Sequence, residues 1–260
     1  MAWDPNLYSA FAKPRLRPAL DLVARIETLS AGLVADLGCG TGSISALLAD
    51  RWPDARIFGI DTSPDMLAKA DRASPVTWVQ ADITAWTPPG PADVLFSNAA
   101  LHWVDDHAGL FPRLMGMLAP GGWLAVQMPR NYHAPSHTAI IDAARSGPWR
   151  DLLEPLLRPE PVAPPAFYYD LLAPIAAALD IWETEYLHVL DGEDAVMRWT
   201  GSTALRPLSE ALADHPAWKD DFLEEYRRRL AAAYPRLPDG RTLFPFRRLF
   251  LIARRGLRPD

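Results

Sequence analysis

The residues best equipped for chemistry fall in one run, Asp36-Leu37-Gly38-Cys39-Gly40-Thr41-Gly42, with Asp61 further on. Glycine serves where a backbone turns into positive φ or lets a ligand approach with no Cβ in the way. Three glycines in alternation describe a loop wrapped around something bulky, and the N–H groups opening the helix behind it suit an anionic group. Asp61 closes the apolar run Arg56-Ile57-Phe58-Gly59-Ile60, where a carboxylate can accept both hydroxyls of a ribose. Singly these are a glycine turn and a solvated aspartate. Together they describe a nucleoside site.

The spacing discriminates between nucleosides. A dinucleotide loop reads G-x-G-x-x-G with pyrophosphate on the helix N-terminus. Here the glycines fall as G-x-G-x-G, with Ser43 where the third would stand. Asp36 would repel a pyrophosphate and welcome a cationic amino-acid end. The run Asp36 to Gly42 resembles the first motif of the class I S-adenosyl-L-methionine (SAM) methyltransferases. That resemblance implies a Rossmann-like α/β fold whose seven-stranded, mostly parallel sheet has an antiparallel edge hairpin and a helical insertion. It also implies SAM as cofactor, held by Asp36, Gly38, Gly40, Gly42 and Asp61, with Thr62 and Met66 just beyond. Asp82, after the strand Val76–Gln80, would accept from the adenine amino group, with Ile83 as a wall of the base pocket; a solvated loop aspartate is the other reading.

These residues need elements to hold them. Apolar residues at helical spacing from Pro18 predict a helix to about Ser30 that packs beside the first strand, part of an N-terminal cap over 1–30. The strand Val34–Leu37 leads into the glycine turn, and Gly42–Arg51 leaves it as a helix. Ser63-Pro64 reads as N-cap and N1 of a helix to about Ala73. Ala92–Asn98 reads as a strand whose carboxyl end, at Asn98, faces the crevice by topology. Asp105-Asp106 caps a helix stopped by Ala119-Pro120-Gly121-Gly122, and Trp123–Met128 is the fifth strand. Five alternations of strand and helix specify a parallel doubly wound sheet. Beyond Pro129 the alternation stops. Residues 130–180 are proline-rich, a strand spans 181–190, helical material fills about 193–235, and Arg247–Ala253 closes as a strand. The whole of 1–260 reads as one domain, with 130–180 and 193–235 as substrate-side insertions.

Within the superfamily, Gln127-Met128-Pro129, Tyr169-Asp170, Asp180-Ile181-Trp182, Thr203–Pro207 and Arg248-Leu249-Phe250, with Trp3, Tyr8 and Arg15–Ala19, resemble the group that esterifies trans-aconitate. Two departures stand out: Arg130 where that group has aspartate, and Ala204 where it has glycine. The implied reaction moves a methyl from SAM to one carboxylate of a small polycarboxylic acid. A carboxylate is already ionised at neutral pH, so no catalytic base and no metal is expected. What the reaction needs is an oxygen held near the methyl and a dry pocket in which opposite charges neutralise. The remaining anionic arms call for arginine, which grips carboxylates bidentately. Arg206 is the first candidate, followed by Arg248, Arg17 and Arg130; Tyr8, Tyr168, Tyr169 and His102 are candidate hydrogen-bonding partners, His102 also a candidate base, and Trp103 an apolar wall. His102 can equally be read as a residue that merely holds its loop, and each arginine as a surface ion pair.

Composition bounds the rest. A net charge of −6 over 260 residues argues against a surface that tracks phosphates. Cys39, the single cysteine, cannot form an intrachain disulfide, and no signal-like or membrane-length apolar run appears, so a cytoplasmic protein with no nucleic-acid, membrane or obligate protein partner is expected. Arg254, Arg255 and Arg258 read as a solvated basic tail. A methyltransferase for another small acid or hydroxyl, a nicotinamide-dependent oxidoreductase and a non-catalytic SAM-binding protein are the competing function classes.

Overall fold

The computed structural model describes residues 12–201 and 203–257; Trp3, Tyr8 and Arg258 lie outside them. In chain order the elements are α1 (Ala12–Val23), β1 (Leu33–Leu37), α2 (Ser43–Arg51), β2 (Arg56–Asp61), α3 (Pro64–Leu67), β3 (Val76–Gln80), β4 (Ala92–Asn98), α4 (His107–Met117), β5 (Leu118–Pro129), α5 (Pro135–Ser146), α6 (Arg150–Leu153), α7 (Pro165–Leu172), β6 (Ala176–Asp191), α8 (Ala195–Gly201), α9 (Arg206–Ala211), α10 (Pro216–Ala233) and β7 (Arg241–Arg255). The seven strands form one sheet in the order β3-β2-β1-β4-β5-β7-β6, with β7 antiparallel to both β5 and β6. Strand order reverses between β1 and β4, which opens the crevice of a doubly wound sheet above their carboxyl ends.

All five residues of β1 are buried, as a central parallel strand covered on both faces requires. One face packs Leu33, Ala35, Leu95, Leu124 and Leu251 against α4 and α7. The other packs Val34, Phe96, Trp123 and Phe250 against Ala19 and Leu22 of α1 and Leu48 of α2. A third core, with Trp149, Trp199, Phe222, Phe244 and Phe246, joins α5, α8 and α10 to the far ends of β6 and β7. Tyr226 and Tyr234 lock that lobe onto the start of α5: the Tyr226 hydroxyl donates to the Ser136 carbonyl (2.9 Å), and the Ser136 N–H donates to the Tyr234 hydroxyl (3.1 Å).

Several elements depart from the sequence expectation for local reasons. α1 ends at Val23, not Ser30, because the carbonyls of Ile26 and Thr28 turn out to accept from Arg51 and Trp52 at the end of α2 (2.6 and 3.3 Å). α3 stops at Leu67. Between β3 and β4 there is no helix, so the regular alternation is broken where Pro88, Pro89 and Pro91 deny the chain N–H donors. α4 does end just before the Ala119–Gly122 run, at Met117, but that run is not a loop: it is the start of β5, accommodated by a register shift opposite Ala92–Val94 with Gly121 at φ 79°. The helical material after Glu193 is three helices. The basic end is no solvated tail: β7 runs to Arg255, whose guanidinium donates to the carbonyls of Gly116 and Leu118, while Arg254 lies over Trp123. Among the described residues, no helix is long and apolar enough to cross a membrane.

Candidate functional site

The turn after β1 is built from three left-handed glycines, Gly38 (φ 79°), Gly40 (φ 57°) and Gly42 (φ 83°). A Cβ on Gly38 would lie 2.1 Å from that of Ala100, and one on Gly42 2.2 Å from the Trp78 ring, so the space at both positions is already filled, by the turn after β4 and by β3. At Gly40 nothing among the described residues lies within 4 Å of where a Cβ would be: its backbone is open on that side. The N–H groups of Gly38 and Cys39 are held by the Ile60 carbonyl at the end of β2 (2.8 and 2.9 Å). Asp61 completes the clasp, its Oδ2 accepting from Gly40 N–H (2.9 Å) and its Oδ1 from Ser63 N–H (2.8 Å). Each carboxylate oxygen retains a further lone pair that can accept from a hydroxyl. Cys39 is buried and its thiol pKa is pushed up, chiefly by burial, so it is no nucleophile at neutral pH.

The alternation of strand residues assembles the rest of the crevice. Asp36 lies two residues beyond Val34, Asn98 two beyond Phe96, Gln127 two beyond Ala125 and Arg248 two before Phe250, and all four apolar residues belong to the α1-side core. The four polar residues therefore share that face at the crevice end of the sheet. Asn98 and Gln127 are direct register partners across β4 and β5. From β2 to β7 the order reads acid, acid, amide, amide, cation: Asp61, Asp36, Asn98, Gln127, Arg248. Asp36 is 2 % exposed and accepts from the Ser45 hydroxyl (2.6 Å). Burial pushes its pKa up to about 7, against the opposing Ser45 hydrogen bond and with help from the nearby charge of Asp61. Arg248 is also buried; it donates to Gln127 Oε1 (3.4 Å) and lies 4.7 Å from the Phe246 ring centre. Asn98 Oδ1 and Gln127 Nε2 are buried with no hydrogen-bond partner among the described residues.

After Asn98 the chain turns sharply through Ala99, in the left-handed region at φ 55°, its N–H held by the Gln127 carbonyl (2.9 Å). This throws Leu101–Trp103 into a 3-10 turn over the glycine loop. His102 Nδ1 there is buried without a partner among the described residues, and the imidazole pKa falls to about 3, first from burial and then from the positive charges of Arg158 and Arg248. His102 is thus a neutral donor or acceptor; as a general base it is too weak. Trp103 is half-exposed beside it, with the Arg158 guanidinium 5.5 Å from its ring centre. Thr62 and Asp82 are exposed; Asp82 Oδ1 accepts from both the N–H and hydroxyl of Thr84 (2.8 Å each), bonds that lower its pKa. Ile83 packs on the core, and Met66 is buried in the first turn of α3, under the Ser63 cap.

The candidate cations are already engaged. Arg206 Nε donates to Glu210 (2.8 Å) and its side chain helps line a depression of about 360 Å³ among α8, α9 and α10. Arg130 pairs with Glu183 (2.7 Å). Arg17 is exposed, 4.0 Å from Asp21 and 5.4 Å from the Tyr186 ring centre. Tyr169 is exposed, whereas its neighbour Tyr168 is fully buried. Tyr8 lies outside the described residues.

Sequence reasoning passed over the residues that hold these groups in place. His107 Nε2 faces the Leu101 carbonyl (2.9 Å), which only accepts, so the ring proton is there and Nδ1 accepts from the Tyr168 hydroxyl (2.7 Å). Tyr168 and His107 thereby tie α7 to the turn bearing His102. Arg113 of α4 donates to the carbonyls of Ile83 (3.0 Å) and Trp86, clamping the Asp82 loop. Gln127 was visible only as part of a motif; its partner Arg248 is 121 residues away.

Comparisons with known proteins fit this architecture. Residues 34–122 match a family described as "Methyltransferase domain". "Trans-aconitate 2-methyltransferase" of Azoarcus sp. (strain BH72) is 48% identical over 96% of this chain and 98% of its own length. Proteins of the same name from Streptomyces coelicolor and Methylobacterium radiotolerans are 48% and 44% identical, over 97% and 98% of this chain and 86% and 98% of theirs. Among solved structures, the YcgJ protein of Bacillus subtilis superposes with a TM-score of 0.60 at 13% identity, covering 92% of this chain and 99% of that one. Haemonchus contortus phosphoethanolamine N-methyltransferase 2, in complex with phosphomonomethylethanolamine and S-adenosylhomocysteine, superposes with a TM-score of 0.55 at 15% identity, over 92% of this chain and 52% of that one. At such identities the superpositions establish the fold.

Proposed function

The chain belongs to the trans-aconitate 2-methyltransferase family of SAM-dependent enzymes, and from that premise we propose that it methylates one carboxylate of trans-aconitate, with the crevice of the sheet as its active site. The observation that carries the assignment to this crevice is the charge order across it, acids on β2 and β1 and a buried arginine on β7. Such an order suits a cationic donor beside an anionic acceptor.

The residues fit the cofactor. Gly40 offers an open, left-handed backbone, Asp61 bridges the loop and keeps lone pairs for hydroxyls, and buried Asp36 suits an ammonium group. When bound, SAM supplies a methyl group on a positively charged sulfur. Thr62, Met66, Asp82, Ile83 and Asn98 complete the proposed donor pocket. On the acceptor side Arg248, Arg206, Arg17 and Arg130, with Tyr8, Tyr169 and neutral His102, orient the acid's carboxylates, and Trp103 walls off water. Segments 130–180 and 193–235 form that side of one domain over 1–260. No base is required of the chain, which agrees with the weak basicity of His102. The reaction needs no nucleic acid, membrane or obligate protein partner, and a cytoplasmic setting supplies both substrates.

The test is incubation with SAM and a panel of di- and tricarboxylates, followed by mass detection. Trans-aconitate should gain about 14 daltons, one CH₂ net, as a monoester. Binding of SAM with no transfer to any acid would contradict the reading, as would stabilisation of the protein by NAD and not by SAM.

A further inference from the structure

Gln127 belongs to none of the residue sets assigned above, yet it stands at the junction of the crevice, between the acids of β1 and β2 and the cation of β7. Resting on the proposed reaction, we propose that Gln127 is the residue that grips the acid's reacting carboxylate, donating from Nε2 to one of its oxygens.

Three observations converge. First, the amide orientation is dictated: Arg248 only donates, so the atom facing it at 3.4 Å is Oε1, and Nε2 is turned the other way. Second, Nε2 is buried with no acceptor among the described residues, on a side chain that is fully buried. Buried donors in native proteins are paired, and one left over marks a place that a ligand completes. Third, the ligand must be anionic here. Arg248 adjoins the amide, and the positive charges of Arg158 and Arg248 are both felt at His102, whereas Asp36 and Asp61 lie on the far side of β4. A carboxylate oxygen meets each condition. The Arg248 contact also polarises the amide, so that Nε2 donates more strongly to an anion.

The experiment is calorimetric titration of trans-aconitate into protein saturated with S-adenosylhomocysteine, which needs no turnover. Gln127→Leu removes the amide at similar volume; Gln127→Glu is isosteric and replaces the donor by a repelling charge. The expected result is at least 30-fold weaker acid binding in both, with affinity for S-adenosylhomocysteine within threefold of the parent and thermal stabilisation by it retained. Unchanged acid affinity in Gln127→Glu would overturn the proposal, as would an equal loss of S-adenosylhomocysteine and acid affinity in both variants. Those results leave the wild-type reaction standing; failure of the wild type to bind any tricarboxylate would remove both.

Discussion

At β1 and β2 the crevice is made by residues close in sequence: the glycine turn spans five residues, and the neighbouring Asp61 clasp crosses one helix. From β5 to β7 it is made by residues brought together across the chain, Gln127 with Arg248, and the lobe beside it is held in the same way, Ser136 with Tyr226 and Tyr234. The first region is governed by backbone conformation, with left-handed glycines wedged against Ala100 and Trp78. The second is governed by side-chain charge in a buried setting. Damage to the first should remove the donor; damage to the second should spare the donor and remove the acid.

The largest expected break lies in the first region. Gly38→Ala forces a Cβ to within 2.1 Å of the Ala100 Cβ at a φ of 79°. Affinity for S-adenosylhomocysteine should fall at least about 100-fold, with a stability loss of roughly 2–4 kcal/mol in chemical denaturation. Its counterpart is Arg248→Lys, which keeps the charge but loses the planar fork. Acid affinity measured with S-adenosylhomocysteine bound should drop about 30- to 100-fold, or roughly 2–3 kcal/mol, while that of S-adenosylhomocysteine itself is unchanged.

Proton linkage sharpens the contrast. Asp36 is raised to about 7 in the folded protein, so it still holds its proton where the unfolded chain has released it. The ligand-free protein should lose stability as pH rises from about 4 to about 7. Binding of a donor whose ammonium faces Asp36 favours the ionised form. Affinity for S-adenosylhomocysteine should therefore rise with pH up to about 7, by at most about tenfold per unit, then level off, and Asp36→Asn should flatten the profile. His102, at about 3, should add no step above pH 5.

Smaller effects test the edges of each region. Arg206→Ala should raise the KM for trans-aconitate about tenfold, roughly one charge-assisted hydrogen bond, and leave S-adenosylhomocysteine binding intact; the reverse pattern would move the 193–235 segment to the donor side. Ala99→Gly relieves a left-handed alanine but frees the unfolded chain, so thermal denaturation should show a change within about 0.5 kcal/mol.

The same contrast explains what could be read from the sequence. The glycine loop, Asp61 and the Asp106 cap were legible because each is local: a turn, a strand end, a side chain accepting from Gly109 N–H (2.9 Å). The edge hairpin was legible as two late strands, although both are longer than their apolar runs because their far ends are covered by the helical lobe. The count of five alternations was one helix too many, since β3 passes to β4 through a proline-rich loop. The contacts of Gln127, His107 and Arg113 were not legible, since nothing in a sequence window shows that a glutamine meets an arginine from the last strand. Arginines could be counted but not placed, and most proved to hold acidic neighbours.

The central claim, that one crevice seats donor and acceptor on opposite sides of β4, is tested most directly by a crystal structure with S-adenosylhomocysteine and trans-aconitate bound together. The account predicts S-adenosylhomocysteine against Gly40 and Asp61, and an acid carboxylate within about 3 Å of Gln127 Nε2 on the Arg248 side. An acid bound away from that face, with Gln127 and Arg248 untouched, would contradict it.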